Sequence, residues 1–162
     1  MPNQPTVTTT PSDPARPVAP RYLEPSRFTR GFNRVMMGFT RLGVSVRGSR
    51  ILIVRGRSSG ELRRVPVNLL DFEGAQYLVA PRGQTQWVRN VRAAGGGALQ
   101  LGRRVTEFRA DELDDAVKPA LLREYLRRWK AEVGVFFDGV DASATDEQLL
   151  AIAPGYPVFR IG

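Results

Sequence analysis

Apolar residues first recur at helical spacing in the segment that begins at Ser26. The apolar positions of this segment lie three or four residues apart: Phe28, Phe32, Val35, Met36, Phe39 and Leu42. This spacing predicts an amphipathic helix that Ser26 caps and that ends at Gly43. Residues 1–24 are rich in proline and threonine and offer little to bury, which is typical of a disordered tail. We therefore expect a tail over 1–24 and a single folded domain over 25–162.

Short runs of β-branched and apolar residues follow, separated by glycine-containing turns. They predict strands at about 50–56, 65–72, 75–81, 97–102 and 104–110. Glu73-Gly74 is a tight hairpin turn between the second and third of them, and Pro157–Ile161 is a last strand.

Three further segments return to helical spacing. The first runs from Gln86 to Ala94 and is ended by Gly95-Gly96-Gly97, and the last is a short helical turn from Asp146 to Ile152. The middle one opens at Asp114-Asp115, accepts Pro119 in its first turn, and carries an apolar stripe of Val117, Leu121, Leu122, Tyr125, Leu126 and Trp129. Hairpin-linked strands with peripheral helices predict the α+β class, as a small antiparallel split β-barrel rather than a doubly wound sheet.

The amino-acid composition excludes several kinds of catalytic and metal-binding site. The chain has no cysteine and no histidine, which excludes disulfides, thiol nucleophiles, Ser-His-Asp catalysis, and thiolate or imidazole metal sites. It carries 24 lysines and arginines against 16 acidic residues, a net charge of +8, so an anionic partner is expected. We expect no metal site and no catalytic side chain, with any redox chemistry carried by a cofactor.

The cellular compartment is predicted from two features that the sequence does not show. No run approaches the roughly 20 apolar residues of a membrane span, and the first residues do not resemble a secretory signal. The sequence therefore predicts a cytoplasmic protein. The basic amphipathic helix from Ser26 to Leu42 either contacts a membrane surface or packs against the barrel.

The segment Gly56–Pro66 is the first candidate site. It is a short turn between two strands that combines glycines, the hydroxyls of Ser58 and Ser59, and the guanidinium groups of Arg57 and Arg63. Flexible backbone N–H groups flanked by arginines suit a phosphate or polycarboxylate. The alternative is an ordinary hairpin turn with solvated charges.

A second candidate follows the third strand. The chain turns on Pro81 and Gly83 and then starts a helix, whose first N–H groups have no partners within the helix and can point at an anion. Trp87 could wall a planar ligand and Asn90 could tie the helix to neighbouring backbone. The alternative is a core tryptophan behind an exposed arginine-rich face.

In this order, the patterns Gly-Arg-Ser-Ser-Gly-x-x-Arg-x-x-Pro (residues 56–66), Val-Ala-Pro-Arg-Gly (79–83) and Trp-x-x-Asn (87–90) resemble the deazaflavin-dependent nitroreductase family. These are split β-barrel flavin and deazaflavin oxidoreductases found mainly in actinobacteria. The resemblance implies an enzyme that transfers a hydride from reduced coenzyme F-420 to a small conjugated acceptor, a quinone, enone or nitroaromatic. Because the deazaflavin supplies the hydride itself, the protein needs only to bind and orient both partners.

The resemblance also implies which residues bind the cofactor. The phosphate and acidic tail would be held by Arg57, Ser58, Ser59, Gly60 and Arg63. The deazaflavin ring would be flanked by Pro66, Val67 and Asn68. Its edge would run along Ala80, Pro81, Arg82 and Gly83, with Trp87 and Asn90 packing the following helix. The candidates for an acceptor pocket are Tyr125, Trp129, Phe136 and Phe137.

Several alternatives stay open. FMN could replace the deazaflavin, because both rings fit such barrels, and the chain could be a cofactor carrier without turnover. A basic nucleic-acid-binding barrel would place aromatic residues on its charged face. The segment Gly56–Pro66, called the arginine loop below, has no aromatic residue, so we expect no nucleic-acid partner. Barrels of this superfamily are often dimeric, which implies a possible homodimer.

Overall fold

Six antiparallel strands form the frame of the protein in a computed structural model, which describes residues 48–162. The strands are β1 (Ser49–Arg55), β2 (Leu62–Phe72), β3 (Ala75–Val79), β4 (Gly96–Leu101), β5 (Arg104–Glu112) and β6 (Val158–Ile161). They close into a barrel in the order β1-β2-β3-β6-β5-β4. The predicted antiparallel barrel with peripheral helices is confirmed. The predicted tail over 1–24 and the helix from Ser26 to Leu42, with its membrane contact, lie outside the described residues.

Three α-helices accompany the barrel within residues 48–162: α1 (Gln86–Ala94), α2 (Lys118–Val133) and α3 (Asp146–Ile152). The bounds of α1 and α3 are those that the sequence predicts. None of these helices is both long enough and apolar enough to cross a membrane. Short 3-10 turns precede and follow α2, at Asp115–Val117 and Gly134–Phe136.

The β1–β2 hairpin is longer than predicted. Strand β2 begins at Leu62, three residues earlier than expected, because the arginines after Leu62 continue the ladder against β1, with Arg63 opposite Val54 and Arg64 opposite Ile53. Because these arginines are exposed, apolar patterning alone starts the strand only at Val65. Arg63 therefore stands at the base of the loop, on a rigid element.

The glycine run after α1 divides between two roles. The strand predicted from residue 97 is confirmed and starts one residue earlier, so the prediction that Gly96 only ends the helix is wrong. Gly95 ends the helix, with φ +70° and its N–H bonded to the Val91 carbonyl. Gly96 and Gly97 belong to β4. A Cβ on Gly96 would stand 2.2 Å from the Phe108 carbonyl oxygen, so only glycine permits β4 and β5 to approach at this point.

The apolar stripe of α2 packs as predicted, with one exception. Val117 lies in the 3-10 turn before the helix and is 55% exposed, so its placement on the stripe is wrong. The tight turn points it away from the face that α2 buries.

Two apolar clusters hold the fold together. Alternate residues of the strands, including Leu52, Val54 and Phe159, fill one cluster inside the barrel together with Val88 of α1. The residues of opposite orientation, such as Leu70, join the second cluster, in which α2 and α3 cover the outside of the barrel. The result is a covered barrel with its β1–β2 loop free to take part in a site.

Glu124 forms hydrogen bonds with two arginines of its own helix, α2, and is the more buried of the two acidic side chains in that helix. Its carboxylate accepts hydrogen bonds from Arg127 (2.7 and 2.8 Å) and from Arg128 (2.6 Å), and Arg128 also donates to the Asp71 carbonyl on β2 (2.8 Å). The hydrogen bonds from Arg127, and then those from Arg128, outweigh burial and lower the pKa of Glu124 to about 2.

A pKa below the ordinary value makes this carboxylate stabilising above the unfolded pKa, and the stabilisation is lost as the pH falls towards about 2. We expect Glu124→Gln to lower the free energy of unfolding at pH 7 by about 1 kcal/mol, since the two arginines are partly solvated. Urea unfolding at pH 7, 4 and 2.5 measures this. The difference from wild type should shrink steadily with acid, and the exposed Glu107→Gln serves as a charge-matched control. An equal difference at all three pH values would contradict the assignment.

Candidate functional site

A cavity of about 1160 Å³ opens on the side of the barrel. Its walls come from the β1–β2 loop, the middle of β2, the start of α1 and the C-terminal end of α2 with the 3-10 turn that follows. Segments far apart in the chain thus meet around one space, and both candidate motifs of the sequence, residues 56–66 and 79–90, contribute to it.

The arginine loop, which joins β1 to β2, is ordered by its own hydrogen bonds. The Gly56 N–H donates to the Glu61 carbonyl and the Gly60 N–H to the Gly56 carbonyl, both at 2.8 Å. The guanidinium group of Arg63 lies 3.4 Å from the Ser59 hydroxyl and 3.0 Å from the Glu61 carboxylate. These contacts direct a cation and a hydroxyl towards the cavity while the loop keeps its shape.

Arg57 connects the loop to α1. Its backbone N–H and its guanidinium Nη1 donate to the buried Asn90 Oδ1, at 3.2 and 3.1 Å, and Nη1 also donates to Gln86 Oε1 at 2.8 Å. Asn90 therefore does tie the helix to neighbouring backbone, and that backbone is the arginine loop. The positive charge of Arg57 is held at the mouth of the cavity by two neutral acceptors, so it is not neutralised there.

The walls between the polar groups are apolar. Val65, Pro66 and Val67 of β2 line one side, and Phe136 lies on another. Trp87 lines the cavity and also contacts Phe159 of the barrel core, with ring centroids 6.0 Å apart. Trp87 therefore packs on the barrel core and also borders the cavity, and its contact with a planar ligand stays a prediction.

Polar groups reappear where β1 starts. Ser49 and Asn68 are directly opposite each other in the β1–β2 ladder, and both line the cavity. Tyr125 also lines the cavity, and its side chain is buried. Burial raises the pKa of Tyr125, the nearby Asn68 side chain partly offsets this rise, and the Glu132 charge adds to it.

Most of the predicted site residues meet at this cavity. Those that line it are Arg57, Ser58, Ser59, Arg63, Pro66, Val67, Asn68, Pro81, Arg82, Trp87 and Asn90. Three other predicted site residues, Gly60, Ala80 and Gly83, do not line the cavity. Gly60 closes the loop, Ala80 is fully buried, and Gly83 turns the chain with φ +74° and donates to the Ala80 carbonyl. These three residues determine the course of the backbone next to the cavity, and their own atoms do not face it.

Other residues reach the cavity without a sequence signal. Ser49, Gln86, Ala131 and Glu132 line it, yet each is an ordinary polar or small residue at its position in the chain. Of the four aromatic candidates for an acceptor pocket, Tyr125 and Phe136 line the cavity. Phe137 and Trp129 lie in the core, the former stacked on Tyr156 with ring centroids 4.3 Å apart.

Fold and site together define a closed antiparallel barrel with a lateral cavity that suits a flat ligand carrying an anionic tail. A family model described as F-420H(2)-dependent quinone reductase matches residues 27–148. The chain belongs to this family and is an F-420-dependent oxidoreductase. The comparison with curated proteins gives no match.

Solved structures are similar to this chain at low sequence identity. One described as a domain-swapped dimer is 20% identical, with a TM-score of 0.51, and the match covers 83% of this chain and 96% of the other. An F-420-H(2) dependent reductase (FDR-A) is 22% identical, with a TM-score of 0.49 over 74% and 99% of the two chains. A conserved hypothetical protein, Rv2991, from Mycobacterium tuberculosis is 16% identical, with a TM-score of 0.45 over 91% and 85%.

Proposed function

We propose that this oxidoreductase reduces a small conjugated acceptor, a quinone in the first place, that shares the lateral cavity with F-420. The observation that carries this proposal is the size and layout of the cavity. At about 1160 Å³ it exceeds the roughly 300–1,000 Å³ of a pocket for one small ligand. Arginine and hydroxyl groups line one part of the cavity, apolar side chains line the next, and the polar side chains of Asn68 and Tyr125 also face it.

The arginine loop is proposed to hold the phosphate and acidic tail of F-420. Arg57 and Arg63 supply guanidinium groups, and Ser58 and Ser59 supply hydroxyls, around the same opening. Charge-assisted hydrogen bonds of this kind are stronger than neutral ones and suit oxyanions. Because Asn90 and Gln86 already position Arg57, little side-chain entropy is lost when the anion binds.

The ring of the cofactor is proposed to lie against the apolar walls. Pro66, Val67 and Asn68 would flank it from β2, with Pro81 and Arg82 along its edge. Arg82 is stacked over the Phe136 ring, with its guanidinium carbon 5.8 Å from the ring centroid, which fixes this side of the cavity. When bound, the reduced cofactor supplies a hydride from its ring carbon, so these residues only orient it and exclude water.

FMN is the alternative cofactor, and the two cofactors differ mainly in the tail that is attached to the ring. A longer polyanionic tail uses both arginines of the loop, whereas a single phosphate needs one bidentate partner. A homodimer stays a prediction, since the structure described as a domain-swapped dimer shares only the fold with this chain.

Fluorescence titration of the purified protein with F-420, beside FMN, tests the cofactor. We expect saturable micromolar binding of F-420 and binding of FMN at least tenfold weaker. Oxidation of the reduced cofactor is then followed with quinones, enones and nitroaromatics, and the fastest rate is expected with a quinone. Preference for FMN would move the enzyme to flavin chemistry, and F-420 binding without turnover would leave a cofactor carrier. Binding of neither would overturn the proposal and make nucleic-acid binding the function to test.

A further inference from the structure

The two arginines that reach the cavity from the arginine loop are held by partners of different charge. Arg63 lies 3.0 Å from the Glu61 carboxylate, and both side chains are well exposed. Arg57 instead donates to two amide oxygens, Asn90 Oδ1 at 3.1 Å and Gln86 Oε1 at 2.8 Å. An amide oxygen accepts a hydrogen bond but carries no net charge that would cancel that of the guanidinium group. These bonds therefore fix Arg57 and leave its charge to a ligand.

Asn90 is the buried member of this pair of amides. Its side chain is on the second turn of α1, lines the cavity and belongs to a residue that is 5% exposed. Its Oδ1 also accepts the backbone N–H of Arg57 at 3.2 Å, so one oxygen holds both the backbone and the side chain of the arginine. Gln86, one helical turn earlier, is exposed. A charge at the position of Asn90 Oδ1 would be less screened by water than one at Gln86.

A carboxylate of the same shape could accept the same hydrogen bonds from Arg57. Aspartate differs from asparagine here by one negative charge, and its hydrogen bonds to a guanidinium group are charge-assisted and stronger. It would hold Arg57 at least as firmly, but as an ion pair without net charge. An incoming anion would then meet a fixed negative charge beside the cation, and like charges placed together disfavour binding. At Asn90, the positioning of the arginine and the charge that it offers can thus be changed separately.

We propose that Asn90 is a positioning residue for the anionic tail of the cofactor and that the site requires its side chain to be neutral. The amide orients Arg57 and leaves the guanidinium charge to the ligand, whereas Arg63 exchanges Glu61 for the ligand. This inference rests on the proposed function for the identity of the ligand and adds the residue that sets the charge of the binding site. Because two guanidinium groups face one opening, the ligand class is a polyanion.

Asn90→Asp is the first test, because it preserves the geometry and adds only a charge. We expect the dissociation constant for F-420 to rise about tenfold or more at low salt, while the midpoint of urea unfolding stays equal to or above that of wild type. Asn90→Leu removes the acceptor, so affinity and midpoint should both fall. A purely structural role of Asn90 predicts that affinity follows stability in both variants, and that result would overturn the inference.

Gln86→Glu tests the same idea at an exposed position, where folding is not at risk. Gln84→Glu is its matched control, since Gln84 accepts a hydrogen bond from Arg92 of the same helix and does not line the cavity. We expect Gln86→Glu to weaken F-420 binding about three- to fivefold at low salt and Gln84→Glu to change it by less than about twofold. The difference should shrink as salt screens these charges. Equal effects of the two changes would contradict a charge requirement at Arg57.

Inorganic tripolyphosphate separates this inference from the proposed function. It carries several negative charges but no ring, so its binding to the full chain reports on the arginines alone. Calorimetric titration should show binding to wild type and binding about tenfold weaker to Asn90→Asp. That result without any F-420 binding would support the role of Asn90 and defeat the proposed function. Equal tripolyphosphate affinities in the two proteins, or no binding to wild type, would overturn the inference even if F-420 is bound and oxidised.

Discussion

Arg63→Ala is expected to weaken F-420 binding by about 1.5–3 kcal/mol, roughly tenfold to hundredfold in dissociation constant. Arg63 is fixed on β2 opposite Val54, and its guanidinium group reaches the cavity beside Ser59. The same group lies 3.0 Å from the Glu61 carboxylate, but this pair is well exposed and holds the arginine only weakly. An anionic tail can therefore replace Glu61 as the partner, and alanine removes that interaction.

Arg64→Ala is the control for this change. Arg64 is the next residue of β2, carries the same charge and is exposed, yet it does not line the cavity. Isothermal titration at low and moderate salt should show the large loss for Arg63→Ala and less than a threefold change for Arg64→Ala. Equal losses would mean that the net charge of the protein, and not the loop, attracts the cofactor. An unchanged affinity of Arg63→Ala would remove Arg63 from the proposed site.

Gly96→Ala is expected to lower the free energy of unfolding by about 3 kcal/mol, at the upper end of the usual cost of forcing extra atoms into a packed structure. The added Cβ would stand 2.2 Å from the Phe108 carbonyl oxygen and 3.2 Å from the Arg109 Cα. Both are backbone atoms of β5, so relief requires the two strands to separate and to lose ladder hydrogen bonds. Gly96 pairs directly with Arg109, which places the strain inside the barrel wall.

Gly134→Ala provides the comparison, because it makes the same chemical change where there is room. Gly134 has φ −56°, and an added Cβ would meet only the flexible Lys130 side chain at 3.6 Å. Its effect should be neutral or stabilising by up to about 1 kcal/mol, since alanine restricts the unfolded chain. Urea denaturation followed by tryptophan fluorescence measures both. A Gly96→Ala protein as stable as wild type would show that the β4–β5 approach is wider than described.

Under the proposed function, the order of the arginine loop lowers a usual cost of anion binding. A flexible loop would have to order its backbone and its long side chains each time the cofactor binds. Here the loop carries two internal backbone hydrogen bonds, and Asn90 and Gln86 already orient Arg57. Most of the ordering is therefore done during folding, which is consistent with a cofactor that must be exchanged or re-reduced between turnovers.

Much of the architecture was accessible from local patterning. The turn at Glu73-Gly74, the helices at Gln86–Ala94 and Asp146–Ile152, and the hairpin-linked strands follow from the spacing of apolar residues and from turn chemistry. The residue types of the arginine loop and the lack of histidine and cysteine predict a cofactor with an anionic tail. These properties depend on neighbours in the chain, so the sequence by itself determined them.

Contacts between distant segments were decided only by the tertiary structure. Nothing local assigns Gly96 to a strand, because the reason is a carbonyl that β5 brings to within 2.2 Å of the missing Cβ. Likewise, Asn68 and Tyr125 are far apart in the chain, and both line one cavity because α2 packs against the barrel. The apolar stripe of its helix predicts that Tyr125 is a core residue. Its position at the cavity depends on how α2 packs against the barrel. Burial and hydrogen-bond partners are properties of the packed fold and not of any one segment.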